Sequence, residues 1–408
     1  MRVAGRAAAV CAVAGAVAAT VLLLWPASVP APRSARAQAR LADSDGLVVF
    51  EEQPSGLLGT AAPDGSHPQI LDKLGGLRGN DLPTASSDGR YLVNQEGQLI
   101  TMGPHGPVSV ADLPQAGGDQ QFGQPDQWQS ASFADGGRYI AATECATVNP
   151  GGTGSVQAWV AYLLPTTAGK TETLGAVTAA TGDPSSAAAV LSVPVKTSGA
   201  TSADECYGDQ PPSDGLLELL APGKPARTVV TVGTLLRVVG WPQKTPVELY
   251  AAPSPDGSLL YVSVVQNTPH PVNRFPVFIA AAVLVSRTGK IVARVPLPGS
   301  AGEGQWSPDG KRVAACEVSP GSQSRVVVWT VGGATKTFSL PNRHDAYCTQ
   351  LLWSPDGSQL IYAALTALRG LTASSDLQRG WTVIDLRTGR AYDVTAPGQP
   401  AAWLVSPR

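Results

Sequence analysis

The phrase Trp-Ser-Pro-Asp-Gly occurs twice, at residues 306–310 and 353–357, with the second copy starting 47 residues after the first. A short apolar run follows each copy. Proline presets φ for a turn, aspartate accepts bonds from local amides, and glycine tolerates the positive φ that leads into the next strand. The phrase therefore predicts a strand end, a tight turn and a strand start. Such a unit repeated every 40 to 50 residues is typical of β-propeller blades.

Weaker copies of the phrase precede the two strong ones and bring their number to seven. The interval between successive aspartates is 43 to 53 residues, except for 73 residues between Asp183 and Asp256, which predicts an insertion. The weaker copies are Ser44-Asp45-Gly46, Ser87-Asp88-Gly89, Ala134-Asp135-Gly136, Gly182-Asp183-Pro184 and Ser254-Pro255-Asp256-Gly257.

A second series of glycine turns, each flanked by apolar runs, predicts a hairpin late in every unit. This series also has seven members, so we predict a seven-bladed all-β propeller, with six or eight blades as alternatives. The turns are Pro63-Asp64-Gly65, Pro104-His105-Gly106, Ala168-Gly169-Lys170, Pro222-Gly223-Lys224, Arg287-Thr288-Gly289, Val331-Gly332-Gly333 and Arg387-Thr388-Gly389.

The two ends of the repeat region complement each other. Residues 403–407 resemble the front half of the phrase, and residues 44–50 resemble its back half. We therefore expect the C-terminal strand to complete the first blade, which removes open sheet edges.

The repeated phrase resembles that of the TolB-type, WD-repeat-like β-propeller family, most strongly over residues 300–362. The resemblance implies a propeller that mediates protein–protein interaction outside the cytoplasm. TolB-type proteins have six blades and a separate N-terminal α/β domain. In this sequence only about five residues separate a predicted tether, residues 26–42, from the first blade, so such a domain has no counterpart between them.

The N-terminal region has the pattern of a membrane-targeting segment. Residues 7–25 carry no charge and are flanked by arginines on both sides. This length is compatible with a signal peptide or an uncleaved signal anchor. The predicted organisation is a signal anchor or signal peptide over 1–25, a flexible tether over 26–42 and the propeller over 43–408. We expect an extracytoplasmic, single-pass anchored protein, or alternatively a secreted one.

Charge and cysteine content exclude some classes of partner. Beyond residue 40 the chain has 24 basic and 31 acidic residues, so nucleic acid is not expected as a partner. Four cysteines in an exported region, without a Cys-x-x-Cys pair, favour disulfides over a metal site. We predict that Cys145 pairs with Cys206 and that Cys316 pairs with Cys348. No metal and no cofactor are expected.

The short turns of both series lie on one face of a propeller, which we call the turn-side face; the long connections lie on the opposite, loop-side face. The predicted long connections are 112–126, 144–155, 194–213, 266–276, 340–350 and 364–379. We expect the loop-side face to bind a protein, peptide or glycan at the cell envelope. The candidate binding residues are Trp128, Tyr207, His270, Arg274, Arg343, His344, Asp345, Tyr347, Arg369 and Arg379.

Enzyme motifs are scarce. The chain has four histidines, of which His270 and His344 belong to the predicted loop-side face, and it has no Gly-x-Ser-x-Gly elbow. We therefore predict a binding module without catalytic activity; the alternative is a hydrolase or lyase whose site lies at the mouth of the central channel. Structural roles are expected for the turn aspartates and for the repeated tryptophans.

Overall fold

The computed structural model describes residues 46–52, 57–71, 84–86, 89–93, 98–103, 106–112, 130–148, 156–167, 171–177, 179–194, 214–267, 278–296, 300–301, 304–318, 323–344, 346–366 and 380–405. Contacts divide the chain into a unit of residues 1–37, which lies outside the described residues, and a unit of residues 38–408. The predicted membrane segment, residues 7–25, belongs to the first unit. Within the described part, no helix has the length and apolar character of a membrane span.

The described strands form seven antiparallel sheets, numbered here along the chain. Sheet 1 consists of β1 (Leu47–Glu52), β2 (Leu58–Ala61), β3 (Gln69–Ile70) and the C-terminal β29 (Gly398–Leu404). Sheet 2 consists of β4 (Thr84–Ala85), β5 (Tyr91–Val93), β6 (Gln98–Gly103) and β7 (Gly106–Asp112). Sheet 3 consists of β8 (Ser130–Ala134), β9 (Tyr139–Val148), β10 (Val156–Pro165) and β11 (Glu172–Ala176).

Sheet 4 consists of β12 (Ala179–Gly182), β13 (Ala189–Pro194), β14 (Asp214–Leu220) and β15 (Arg227–Thr231). Sheet 5 consists of β16 (Glu248–Pro253), β17 (Leu259–Asn267), β18 (Phe278–Ser286) and β19 (Ile291–Val295). Sheet 6 consists of β20 (Ser300–Ala301), β21 (Gln305–Trp306), β22 (Arg312–Val318), β23 (Gln323–Thr330) and β24 (Thr335–His344). Sheet 7 consists of β25 (Ala346–Trp353), β26 (Gln359–Thr366), β27 (Trp381–Asp385) and β28 (Arg390–Val394).

The first strands of successive sheets contact one another around a closed path. The order is β4, β8, β12, β16, β21, β25, β29 and back to β4. The last step is possible because β29 pairs with β1, with Leu404 opposite Leu47 and Gln399 opposite Glu51. The predicted all-β propeller and its completion by the C-terminal strand are therefore confirmed.

The Trp-Ser-Pro-Asp-Gly phrase forms the predicted turn between first and second strands. In the copy at 354–357, the buried Ser354 hydroxyl donates to Asp356 at 2.6 Å and accepts from the Gln359 amide at 2.9 Å. Gly357 has φ of +69°, which a side chain would strain. The serine hydroxyl is thus hydrogen-bonded both within the turn and to the start of the next strand, and this explains why both copies of the phrase have the same residues.

The repeated tryptophans connect neighbouring sheets. The Nε1 atom of Trp306 donates to the Ala252 carbonyl of sheet 5 at 2.7 Å, and that of Trp353 donates to the Gln305 carbonyl of sheet 6 at 2.9 Å. Trp381 is buried and donates to the Pro63 carbonyl of sheet 1 at 3.0 Å. The expected structural role of these residues is confirmed, since each indole both packs and pairs across a sheet boundary.

One α-helix lies within the described residues, and sequence analysis did not predict it. The helix α1 (Val232–Val239) follows β15, begins at the N-cap Thr231 and ends at Gly240, whose φ is +80°. Its residues Leu235, Leu236 and Val239 are buried in the core between sheets 4 and 5. The helix accounts for part of the long interval between Asp183 and Asp256, where an insertion was expected.

Two predicted loop boundaries are wrong. The stretch 340–350 is almost entirely strand, because β24 extends to His344 and β25 begins at Ala346. The connection that was expected to begin at residue 144 begins after Val148 instead, so Cys145 lies within β9, opposite Trp159. Polar side chains suggested loops in both stretches, but cross-strand pairing of the backbone amides and carbonyls determines the structure there.

Candidate functional site

The direction of the strands shows which strand ends lie at the loop-side face. First strands run from the loop-side face to the turn-side face, and second strands run back. The start of β16 and of β29 and the end of β1 and of β22 therefore lie at the loop-side face. Glu248, Gln399, Glu51 and Glu317 occupy these four strand ends, so buried or half-buried polar side chains collect at this face.

Most of the predicted binding residues lie outside the described residues. For three of them the backbone is described: Arg343 and His344 end strand β24, and Tyr347 is the second residue of β25. These three therefore belong to the loop-side face, as predicted, but to strands instead of a loop. The residues outside the described ranges are Trp128, Tyr207, His270, Arg274, Asp345, Arg369 and Arg379. Their predicted roles stay predictions.

A polar group that sequence analysis missed lies between sheets 5 and 6. The Tyr250 hydroxyl donates to Glu248 Oε2 at 2.7 Å, and Tyr250 lies directly opposite Ser263 in the pairing of β16 with β17. The Ser263 hydroxyl is buried, with the residue 1% exposed, and has no hydrogen-bond partner in the part of the chain that the structure describes. Buried hydroxyls usually have a partner, so this atom requires an explanation.

Sheet 6 contributes a second such atom. Glu317, near the end of β22, is 6% exposed, and its Oε2 atom accepts no hydrogen bond from the described residues. The Arg325 guanidinium lies 3.9 Å from that oxygen, and the Arg325 side chain is 48% exposed. A long ion pair with one partner in water compensates little for the loss of carboxylate hydration.

Glu51 and Gln399 form a cross-strand pair at the point where the ring closes. They lie opposite each other in β1 and β29, so their side chains project from the same face of sheet 1. Both are buried, and Gln399 Nε2 has no hydrogen-bond partner within the described ranges. Burial raises the pKa of the Glu51 carboxyl from 4.5 to about 7.

The raised pKa of Glu51 predicts how folding stability depends on pH. The folded state binds a proton more tightly than the unfolded chain, so its stability is greatest below pH 4.5 and falls as the pH rises towards 7. Glu51→Gln is expected to remove this loss and to raise the free energy of unfolding at pH 8 by about 2 kcal/mol. Urea unfolding at pH 5 and pH 8 measures it. The half-buried Glu172→Gln serves as control. If the free energy of unfolding changes equally between pH 5 and pH 8 in the wild type and in Glu51→Gln, the pKa of Glu51 is not raised.

The turn aspartates have the structural role that was expected. At Asp256, bonds from the Ser254 hydroxyl and the Ser258 amide lower the pKa of the carboxyl. Burial opposes this at Asp309 and Asp356, but hydrogen bonds outweigh it and their pKa is lowered as well. Each carboxylate is thus held by its own turn. Within the described residues, no group of three or more His, Cys, Asp or Glu could hold a metal ion.

The cysteine pairings stay predictions. Cys316 is buried in β22 and is disulfide-bonded. The side chains of Cys145, Cys206 and Cys348 lie outside the described residues. Non-reducing peptide mapping of the purified protein is expected to recover Cys145 with Cys206 and Cys316 with Cys348; recovery of a Cys145–Cys316 peptide would exclude this connectivity.

No protein-family model and no curated protein matches the sequence. Solved structures do match. The β-propeller domain of the Trilobed protease from Pyrococcus furiosus is 10% identical, covers 88% of this chain and 98% of that chain, and has a TM-score of 0.50. Pyrococcus horikoshii acylaminoacyl peptidase is 12% identical, covers 86% of this chain but only 50% of that chain, and has a TM-score of 0.50.

TolB from Acinetobacter baumannii is 12% identical over 89% of this chain and 67% of that chain, with a TM-score of 0.43. Likeness at these identities concerns the fold alone. The fold rests on the sheets themselves and on the two similar structures with a TM-score of 0.50. This chain is therefore an all-β protein of β-propeller architecture.

Proposed function

We propose that this chain is a binding module without catalytic activity that captures a protein, peptide or glycan partner at the cell envelope through its loop-side face. The proposal includes seven blades, one for each sheet, and an N-terminal segment that anchors the propeller outside the cytoplasm or directs its secretion. The observation that carries it is the position of long connections at one face, such as those between Pro194 and Asp214 and between Thr366 and Trp381, which join second to third strands. Rigid scaffolds present binding residues in this way.

The contrast between the two faces supports this assignment. On the turn-side face, the aspartates of the sheet 5, 6 and 7 turns are bonded within their own turns. At the loop-side ends of β22 and β29, the buried Glu317 Oε2 and Gln399 Nε2 atoms have no hydrogen-bond partner among the described residues, so a bound partner could supply one. Gln359 and Trp403 have such atoms near the turn-side face, so the contrast rests on the bonded aspartates and on the length of the connections.

The test is capture of an envelope partner by the purified full chain and by single variants. Tyr207→Ala and Arg343→Ala are each expected to weaken capture by about thirtyfold if these residues are anchors, because anchor truncations cost about 2 kcal/mol or more. The control is Arg387→Ala, since Arg387 is exposed at the turn-side face. Loss of capture by the control with retention by the other two variants would exclude the loop-side face.

Arg287, although it belongs to the same turn series, is unsuitable as a control. Sequence analysis placed it among the short turns of the turn-side face, away from the predicted binding surface. The structure shows instead that its guanidinium pairs with the buried Asp183 carboxylate at 2.7 Å. A variant at Arg287 would therefore report on folding as well as on binding.

Glu51 favours the alternative proposal, a hydrolase or lyase with its site near the channel mouth. A carboxyl with a pKa of about 7 has the protonation balance of a general acid or base. Under this alternative, Glu51→Gln abolishes turnover of a peptide or glycan substrate while the protein still melts as a folded domain. Under the binding proposal, neither the wild type nor Glu51→Gln turns over such a substrate.

A further inference from the structure

We propose that the loop-side end of the gap between sheets 5 and 6 is the site where the partner inserts a cationic side chain, a lysine or an arginine. This inference rests on the proposed binding function and specifies its partner chemistry. It concerns Glu248, Tyr250 and Ser263 from sheet 5 and Glu317 from sheet 6.

The alternation of side chains along each strand directs the sheet 5 residues into this gap. Leu249 packs in the core between sheets 4 and 5, so its neighbours Glu248 and Tyr250 project from the opposite face of β16, towards sheet 6. In β17, Tyr261 packs in the core that joins sheets 5 and 6. Ser263, two residues further along, projects from that same face.

Sheet 6 supplies the other wall. Val313 of β22 packs in the same core as Tyr261, and Glu317 follows it by four residues, so both project towards sheet 5. Both Glu248, the first residue of β16, and Glu317, the penultimate residue of β22, lie at the loop-side end of the gap. Two carboxylates from different sheets therefore converge on this gap.

The Glu317 and Ser263 oxygens in the gap can both accept hydrogen bonds, and the Ser263 hydroxyl can also donate one. Among the described residues Glu317 Oε2 has no hydrogen-bond donor, and its ion-pair partner Arg325 is 3.9 Å away and half exposed. The Ser263 hydroxyl oxygen is buried without a partner. The Tyr250 hydroxyl already donates its hydrogen to Glu248. An occupant must therefore bring N–H or O–H donors, and beside two carboxylates a positive charge is favoured.

Two other occupants fit less well. A divalent metal ion usually takes several carboxylate or imidazole ligands, and no such set exists within the described residues. A neutral sugar would supply donors but would leave both carboxylates without a compensating charge. An ammonium or guanidinium group supplies the donors and the charge together.

The experiment measures binding of fluorescein-labelled oligo-arginine and oligo-lysine peptides to the full chain by fluorescence anisotropy at neutral pH and low salt. Oligo-glutamine of the same length and a neutral oligosaccharide competitor are the comparison probes. Glu248→Gln and Glu317→Gln are each expected to weaken binding of the cationic peptide by about tenfold. The control is Glu218→Gln, which removes the same charge from a half-buried position in sheet 4.

Ser263→Ala separates a ligand contact from a structural role. Because the hydroxyl has no partner in the folded protein, its removal is expected to leave the melting temperature unchanged or slightly higher, while the affinity for oligo-arginine falls by about fivefold. A parallel loss of stability would instead assign the hydroxyl to the fold and count against the site.

Three results would overturn the proposal. The first is that oligo-glutamine binds as tightly as the cationic peptides. The second is that the neutral oligosaccharide by itself displaces the cationic peptides. The third is that Glu218→Gln weakens binding of the cationic peptides as much as Glu317→Gln does. The failure of this inference is distinguishable from failure of the proposed function, because capture of the envelope partner is judged by the Tyr207 and Arg343 variants, and neither residue is one of the four on which this inference rests.

Discussion

Deletion of residues 398–408 is expected to abolish cooperative unfolding of the propeller. These residues include all of β29, whose seven members are buried, and their loss would expose the paired edge of β1. Removing Trp403 and Leu404 from the core alone costs about 5 kcal/mol or more, which is comparable with the stability of a whole domain. Circular dichroism during thermal unfolding, together with light scattering, measures the effect.

The shorter deletion of residues 406–408 is the matched control, because it leaves β29 complete. We expect it to melt like the full chain. If the longer deletion also melts cooperatively at the same temperature, the pairing of β29 with β1 does not contribute to stability. Aggregation of the longer deletion would agree with an exposed strand edge.

The second large effect is expected at the ion pair between sheets 4 and 5. Asp183 has a side chain that is 3% exposed, and Arg287 Nη1 lies 2.7 Å from its Oδ2. Arg287 also donates to the hydroxyls of Ser185 and Ser186. Arg287→Ala leaves a buried carboxylate without its counter-ion and is expected to lower the free energy of unfolding by about 3 kcal/mol.

The chain contains a closely matched control for this prediction. Arg387 belongs to an identical Arg-Thr-Gly turn in sheet 7 but is exposed, so Arg387→Ala should change stability by less than about 0.5 kcal/mol. Urea unfolding measures the free energy of unfolding of both variants and of the wild type. Equal stability of the two variants would show that solvent already compensates for the charge of Asp183.

Much of this architecture is determined by local sequence. The Ser-x-Asp-Gly turns depend on bonds between residues two to five positions apart, such as Ser354 with Asp356 and with Gln359. Because these contacts are local, the turn positions and the β-propeller fold were predictable. The two halves of the phrase, at residues 403–407 and 44–50, likewise predicted that β29 would complete sheet 1, which the pairing of Leu404 with Leu47 confirms.

The predicted loop boundaries show where local reasoning fails. Residues 340–344 and 346–350 have a polar composition but belong to strands. A backbone that pairs across a sheet satisfies its polar groups whatever its side chains favour. Helix α1 was missed for a related reason, since its apolar residues are recognisable as buried only against sheets 4 and 5.

The sequence by itself determined the all-β repeat, its turns and the completion of the first sheet, because each depends on residues near one another or on a regular interval. Only the tertiary structure decided which side chains meet between sheets. Glu248 and Glu317 are 69 positions apart, and Asp183 and Arg287 are 104 apart, so no local pattern relates them. Their relation depends on strand direction, side-chain alternation and the packing of adjacent sheets, all of which arise only when the ring is assembled.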